Sequence, residues 1–195
     1  MRYTNHAGMI VAGALAALCI LPMSSRAVED AAPPQSETVA GAWQHHNVTF
    51  NYVGFTSLYT CSGLEDHVRQ ILLHLGARQD LKVAATGCPG WDSVPSRTAW
   101  VRADFYTLAP APESAGSDTV RARWTPLVVT PQRPSFMGDG DCELVNQMKD
   151  LVTRNFSLRD VQYRTSCVPN EQHPDSYAVK GQALRAVSTP KPVAG

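Results

Sequence analysis

The sequence contains none of the short motifs that identify the common catalytic sites. It has no C-x-x-C pair, no G-x-S-x-G, no H-E-x-x-H and no phosphate-binding loop of the Walker type. These motifs belong to thiol exchange, serine hydrolysis, zinc proteolysis and nucleotide binding. Their absence favours a protein that is not an enzyme, and we expect no cofactor and no bound metal.

The chain also lacks an excess of charge of either sign. Its 17 basic and 17 acidic residues give a formal net charge of zero, and charged residues make up 17% of the chain. A neutral chain has no overall attraction to nucleic acid or to acidic membranes, so any preference must come from how its charges are distributed. We expect no nucleic-acid partner. The hydrophobic content of 44% is sufficient for a globular core.

Long apolar runs are scarce, and the one that stands out lies near the start. Residues 9–23 carry no charge, and Ser25 and Ala27 match the small-x-small pattern of a cleavage site. The run is short for a membrane span, so we predict a signal peptide at residues 1–27 and no transmembrane segment after its removal. The alternatives are an uncleaved anchor and a lipoprotein modified at Cys19.

Cysteine usage agrees with export. Cleavage removes two of the 17 basic residues and none of the 17 acidic ones, which leaves a net charge of −2. An even number of cysteines in an exported chain predicts disulfides, here two. The alanine-rich signal and the modest length favour a bacterial protein that is periplasmic or secreted. The cysteines that remain are Cys61, Cys88, Cys142 and Cys167.

Two stretches rich in proline and alanine divide the rest of the chain, and they lack the periodicity of helices and strands. We predict a flexible leader at 28–45, a first unit at 46–108, a linker at 109–118, a second unit at 119–188 and a tail at 189–195.

The two units resemble each other. Each contains a strand, a helix and two further strands, with one cysteine before the helix and one after the strand that follows it. The two cysteines are 27 residues apart in the first unit and 25 in the second. We therefore predict an α+β protein that is a tandem βαββ pseudo-repeat, with a mixed sheet, two amphipathic helices and one disulfide per repeat. A chance resemblance between the halves is the alternative.

Two amphipathic helices are the clearest local features. In the first, Ser62 and Glu65 predict a capping box and Gly76 predicts the end; in the second, Asp141 can cap the start. Apolar residues recur at helical spacing, so each helix should pack one face against the sheet. These residues are Leu64, Val68, Ile71, Leu72, Leu75, Leu144, Met148, Leu151 and Val152.

The pairing of the cysteines follows from element lengths. A helix joined by a short turn to a strand runs antiparallel to that strand. About 14 helical residues span roughly 21 Å, and about seven strand residues span roughly 23 Å. The start of each helix then lies beside the end of the following strand, which predicts the disulfides Cys61–Cys88 and Cys142–Cys167.

Histidines and acidic residues give only weak signs of a metal site. His45 and His46 are adjacent and could bind copper or zinc, but a structural site normally needs three or four ligands. We interpret this pair as solvated. His67 and His74 are two turns apart on one helix, too far to share an ion, and we expect both beside the core. Asp139 precedes the second helix, but the sequence around it lacks the remaining ligands of a calcium loop.

Alternation along the strands predicts an open basic face on the sheet. We expect Val101, Phe105, Ala122 and Trp124 to face the helices, while basic side chains point to the other side. Outward positions on strands are often simply polar, and that is the alternative. We expect the 109–118 linker to join the strands on either side of it as a long hairpin, which would cluster Arg102, Arg121 and Arg123 on this face. The predicted binding residues are Lys82, Trp100, Arg102, Tyr106, Arg121, Arg123, Arg164 and Lys180.

The function that this pattern favours is an exported, non-catalytic binding or adaptor protein. Arginine can form paired bonds to carboxylate or phosphate and can stack on aromatic rings. The expected partner is an anionic glycan, a lipid headgroup or an acidic protein surface. The alternatives are a periplasmic hydrolase or other enzyme with a site between the two halves, and a secreted inhibitor that uses an exposed loop such as 109–118.

Overall fold

The computed structural model describes residues 38–89, 94–111 and 119–187. The predicted signal peptide, the first part of the predicted leader, most of the linker and the tail lie outside the described residues.

The described residues form six strands and two helices, as expected for an α+β protein. The order strand, helix, strand, strand occurs twice along the chain, although the duplication of one unit stays a prediction. A short 3-10 turn, Asp139–Asp141, precedes the second helix. The elements are β1 (Thr38–Val53), α1 (Cys61–Leu75), β2 (Lys82–Thr86), β3 (Thr98–Pro110), β4 (Thr119–Val129), α2 (Cys142–Asn155), β5 (Leu158–Thr165) and β6 (Tyr177–Ala186).

β1 starts earlier than the predicted first unit. Residues 38–45, which the sequence analysis places in the leader, are part of the strand. They are held by partners on both sides, because residues 38–42 pair with β4 and residues 41–53 pair with β3. Thr38, Val39 and Trp43 favour strands, but the alanines and glycine between them do not, so this segment gives only a weak local signal of its structure.

The sheet is entirely antiparallel, and the prediction of a mixed sheet is wrong. The strand order is β2-β3-β1-β4-β6-β5, and every neighbouring pair is antiparallel. β1 and β2 run in the same direction, as their helical connection requires, but β3 lies between them. β6 separates β4 from β5 in the same way, so strands of like direction are never neighbours.

β3 and β4 do not form a hairpin. We expected the 109–118 linker to join them as one, but β1 lies between them and pairs with both. β3 ends beside Gly41 and β4 begins beside Ala42. The five residue pairs between β1 and β4 are therefore the seam that joins the two halves of the sheet.

Both helices pack on one face of the sheet and share a single core, called here the main core. Its members include Leu64, Val68 and Leu72 of α1 and Leu144 and Met148 of α2. Neither described helix has the length and apolar composition of a membrane span. The sheet contributes alternate residues to this core, namely Tyr52, Val101, Ala103, Phe105, Leu127, Val129, Tyr177, Val179 and Ala183.

The ends of α1 differ in part from those predicted. Thr60 caps the start, since its hydroxyl accepts a hydrogen bond from the Gly63 backbone N–H at 3.0 Å. The predicted Ser62–Glu65 capping box is wrong, because Glu65 instead accepts from the Ala85 backbone N–H of β2. Gly76 ends the helix as predicted, in a left-handed conformation that favours glycine.

The predicted disulfides are confirmed. Cys61 is bonded to Cys88 and Cys142 to Cys167, with Cα–Cα distances of 5.9 and 5.6 Å. Each bond joins the first residue of a helix to a cysteine just after the following strand, as the element lengths predict. Disulfides of this kind are typical of proteins from an oxidising compartment outside the cytoplasm.

Gln147 of α2 fastens the free edge of β1. Its amide oxygen accepts from the Val53 backbone N–H at 2.9 Å, and its amide nitrogen donates to the Val53 carbonyl at 2.7 Å. β4 pairs only with the first residues of β1, so no described strand neighbours Val53 on this side. The Gln147 side chain thus makes the two hydrogen bonds that a neighbouring strand would make to Val53, and it connects α2 to the sheet.

Replacing Gln147 with alanine should lower the free energy of unfolding by roughly 1–3 kcal/mol, because both backbone groups of Val53 lose their partner. Urea unfolding of the oxidised protein measures this. The matched control is Gln70→Ala, which removes an exposed glutamine from α1. Equal losses in the two variants would show that the bonds to Val53 add nothing to stability.

Candidate binding surface on the outer face of the sheet

The outer face is the side of the sheet away from α1 and α2. Side chains alternate along a strand, and paired residues on neighbouring strands share a face. Val101 and Phe105 are fully buried in the main core, so the residues of opposite phase point outward. On the first half of the sheet these are Lys82, Ala84, Thr86, Trp100, Arg102, Asp104, Tyr106, His45, Asn47, Thr49 and Asn51.

Four predicted binding residues lie together on this half, namely Lys82, Trp100, Arg102 and Tyr106. Trp100 is 59% exposed. Arg102 donates from Nε to Oδ1 of Asn47 at 3.2 Å. Among the described residues, no carboxylate lies within ion-pair distance of Arg102 or Lys82. We call Asn47, Lys82, Trp100 and Arg102 the Arg102 patch.

Asp104 is the one acidic side chain on the strands of this region, and its neighbours engage it. Nε2 of His45 lies 3.2 Å from each carboxylate oxygen, and Nδ2 of Asn47 donates to Oδ2 at 3.1 Å. The His45 hydrogen bond lowers the pKa of Asp104, with further help from Asn47. Asp104 lines the same pocket as Lys82 and Arg102, and the charge of Lys82, its partner across the strands, also lowers its pKa. The carboxylate nevertheless lies beyond ion-pair distance of both cations.

Arg78 joins the outer face from the turn after α1, and the sequence analysis missed it. Its guanidinium lies 3.7 Å from the centre of the Tyr106 ring and 5.6 Å from that of Trp43. It also forms a two-bond ion pair with Asp80, at 2.8 and 2.7 Å. Alternation along strands cannot reveal a loop arginine, since its side chain reaches the face from beyond the strand end.

Arg164 and Lys180 form a separate group on the outer face of β5 and β6. Lys180 pairs with Gln162 across the two strands, and Arg164 pairs with Ala178. All four residues line one shallow pocket. This group lies on the other side of the seam from the Arg102 patch, so the two form distinct sites.

Arg121 and Arg123 lie on the opposite face, and their predicted clustering with Arg102 is wrong. Both share the phase of Leu127, which is buried in the main core. Register with β1 gives the same result. Arg121 pairs with Ala40, and Ala40 has the same phase in β1 as Tyr52, which lies in the main core. Both side chains are exposed, but they lie on the helix side of the sheet.

We predicted that Ala122 and Trp124 face the helices, but both face outward. Ala122 is fully buried, but in a second and smaller cluster on the outer face at the seam. We had assigned these apolar residues to the helix side because we expected that side to be the only buried face of the sheet. The members of the second cluster are Val39, Trp43, Leu108, Val120, Ala122, Trp124 and Leu184.

His45 and His46 lie within β1 and point to opposite faces. His45 contacts Asp104 and Tyr106, while Nε2 of His46 lies 2.8 Å from the Thr107 hydroxyl on the helix side. Burial lowers the pKa of His46. Two rings on opposite faces cannot bind one ion together. The described residues contain no group of three or more metal-binding side chains.

A buried polar cluster joins the two halves at the helix starts. Tyr59 donates from its hydroxyl to Oδ1 of Asp141, and the Gly138 backbone N–H donates to Oδ2 at 2.7 Å. Nε2 of His67 lies 3.1 Å from Oδ2, close enough for an ion pair, although the ring is not aligned for a hydrogen bond. The predicted capping role of Asp141 is wrong, since its side chain makes these contacts instead.

The electrostatics of this cluster fit a structural role. Burial acts to raise the pKa of Asp141, but His67, Tyr59 and the Gly138 N–H outweigh it and lower the pKa. Asp141 is only 7% exposed, and the His67 side chain only 14%. Glu143, also 7% exposed, accepts hydrogen bonds from the backbone ahead of α1. Carboxylates so enclosed and engaged give a substrate little access.

Comparison with known proteins finds no matching family model, no similar curated protein and no similar solved structure.

Stability should depend on pH through Asp141. A carboxyl group with a lowered folded pKa stabilises the protein above its unfolded pKa of about 3.9, and this contribution is lost as the pH falls through the folded value. Asp141→Asn should therefore cost roughly 1–3 kcal/mol at pH 6, and its difference from the wild type should shrink below about pH 4. Urea unfolding between pH 3 and pH 6 measures this.

Asp139→Asn is the matched control for this experiment, since it removes a carboxylate from the same turn. Its cost at pH 6 should be smaller than that of Asp141→Asn, since Asp139 is only half-buried. If the Asp141→Asn difference stayed constant across the whole range, the cluster would not hold an ionised carboxylate.

Proposed function

We propose that the chain is an exported, non-catalytic binding protein that holds an anionic glycan on the Arg102 patch. Export is supported by the two disulfides and by the predicted signal peptide, and we place the protein in a bacterial periplasm or secreted from it. The observation on which the binding proposal rests is the exposed Trp100 next to Arg102, whose guanidinium has no carboxylate within ion-pair distance among the described residues.

The chemistry of the patch suits a sugar acid or a sulfated sugar. Arg102 can donate two parallel hydrogen bonds to a carboxylate or sulfate, and Lys82 adds a second cation on the neighbouring strand. Beyond its bonds to Asp104 and Arg102, the Asn47 amide keeps one N–H and one lone pair that can exchange hydrogen bonds with hydroxyl groups. The indole of Trp100 offers a flat apolar surface against which the C–H face of a sugar ring can pack.

A glycan fits this combination better than the other anionic partners. A lipid headgroup would use the cations, and an indole can insert at a membrane interface. A membrane-binding surface normally presents several apolar side chains, however, and Trp100 is the one large apolar side chain exposed on the outer face of the described strands. An acidic protein surface would meet the cations but would need a larger apolar contact than a single tryptophan provides. The enzyme and inhibitor alternatives stay predictions, and most of the loop that an inhibitor would use lies outside the described residues.

We also propose that the two halves are copies of one βαββ unit. Support comes from the repeated element order, from a disulfide at the same place in each half, and from the mirrored strand orders β2-β3-β1 and β4-β6-β5. Each half then presents basic side chains on its two outermost strands. The Arg164–Lys180 group becomes a second, weaker anion site, since no exposed aromatic ring accompanies it in the described strands.

Charge reversal tests the proposal. Lys82→Glu with Arg102→Glu should lower affinity for immobilised heparin at least about tenfold, because each charge-assisted bond is worth roughly 1.5 kcal/mol or more. Wild-type affinity should fall as salt rises, since exposed charges are screened. Surface plasmon resonance measures both effects, and vesicles of anionic lipid serve as the competing partner.

Arg121→Glu with Arg123→Glu is the matched control, because it makes the same change in net charge on the helix side of the sheet. Exposed substitutions usually move stability by less than about 0.5 kcal/mol, so both variants should fold. Equal losses of affinity in the two double variants would mean that net charge, and not the Arg102 patch, governs binding. Stronger binding to vesicles than to heparin would replace the glycan with a lipid.

A further inference from the structure

A second potential site lies on the helix side, between α2 and the last two strands. It is an apolar cavity of about 40 Å³, whereas one water molecule needs roughly 10–15 Å³. Aliphatic side chains from both helices and from β4, β5 and β6 form its walls, among them Ile71, Met148 and Val179. A cavity with such walls offers water no hydrogen bonds, so it stays dry or takes an apolar group.

The mouth of this cavity has a different chemistry from its walls. Lys149 lies there with its ammonium 4.6 Å from the centre of the Tyr163 ring. Tyr163 donates from its hydroxyl to Oδ1 of Asn146 at 3.1 Å, which fixes the ring. Val161 completes the mouth and is 39% exposed. Among the described residues, no carboxylate lies within ion-pair distance of Lys149.

This cavity is called here the slot. An apolar slot with a single unpaired cation at its mouth is complementary to an alkyl chain that ends in an anion. At about 40 Å³ the slot is small, so it admits the end of one chain and not a ring system. Met148 is an unbranched and adaptable side chain that can shift to admit more of the chain. We propose that this slot binds a single-chain alkyl carboxylate, with the chain inside and the carboxylate paired with Lys149.

This inference does not depend on the Arg102 patch. The slot lies on the helix side of the second half, whereas the patch lies on the outer face of the first half. Substitutions at one site should leave binding at the other unchanged, so failure of either proposal can be recognised separately.

A series of unbranched alkyl carboxylates with six to twelve carbons, kept below their micelle concentrations, tests the proposal by isothermal titration calorimetry on the oxidised protein. Affinity should rise about fourfold for each added methylene group and then level off once the slot is full. The corresponding alcohols should bind at least about fivefold more weakly, since they cannot pair with Lys149.

Two substitutions at the mouth make the test specific. Val161→Trp should block the entrance without needing space in the core, because Val161 is already exposed, and it should abolish binding. Lys149→Glu should weaken binding of carboxylates about tenfold or more while leaving the alcohols unaffected. The matched control is Arg97→Glu, an exposed position in the first half that belongs to neither proposed site, and it should change neither.

Three outcomes would overturn the proposal. One is no detectable binding by the wild type at any chain length. Another is binding that both mouth variants retain at wild-type strength. The third is an affinity that does not depend on chain length, since this would place the chain outside the slot.

Discussion

The short seam between β1 and β4 determines which side of the sheet each side chain occupies. Only five residue pairs, from Thr38↔Arg123 to Ala42↔Thr119, join the two halves of the sheet. Because side chains alternate along a strand, a shift of one residue in this register would exchange the two faces of the whole second half. Leu127 and Val129 reach the main core, and Arg121 and Arg123 lie on the helix side, because of this register.

The same seam explains why both faces of the sheet carry apolar side chains. On the helix side, α1 and α2 cover the main core. On the outer side, Trp43 and Trp124 pack over Ala122 where the halves meet. Beyond this cluster the outer face is polar on each half, so its basic side chains form two separate groups. α2 closes the free edge of β1 through Gln147, and the slot lies between this helix and β5.

Local chemistry made part of this structure predictable. Helical spacing, the glycine at position 76 and the lengths of helix and strand identified both helices and both disulfides, since these depend on neighbours in the sequence. The phase of the first three strands was also right, so Lys82, Trp100, Arg102 and Tyr106 were placed together. Non-local pairing was not predictable: the position of β1 between β3 and β4 removed the expected hairpin.

The errors at the seam have one physical cause. We assumed one buried face, and so assigned the apolar Ala122 and Trp124 to the helices and their basic neighbours to the outside. Sequence alternation gives two alternating sets but does not say which set faces which side when both faces are partly buried. Arg78 and the Tyr59–Asp141 contact depend on loops, whose approach to the sheet leaves no periodic signal.

The register of the seam can be tested directly by methyl NMR. In a nuclear Overhauser spectrum of the labelled, oxidised protein, the Ala122 methyl group should show contacts to the methyl groups of Leu108 and Leu184, its neighbours in the outer cluster. Contacts from Ala122 to Leu144 or Met148 of α2 would instead place Ala122 on the helix side. That result would move Arg121 and Arg123 to the outer face and contradict the position of the slot on the helix side of the second half.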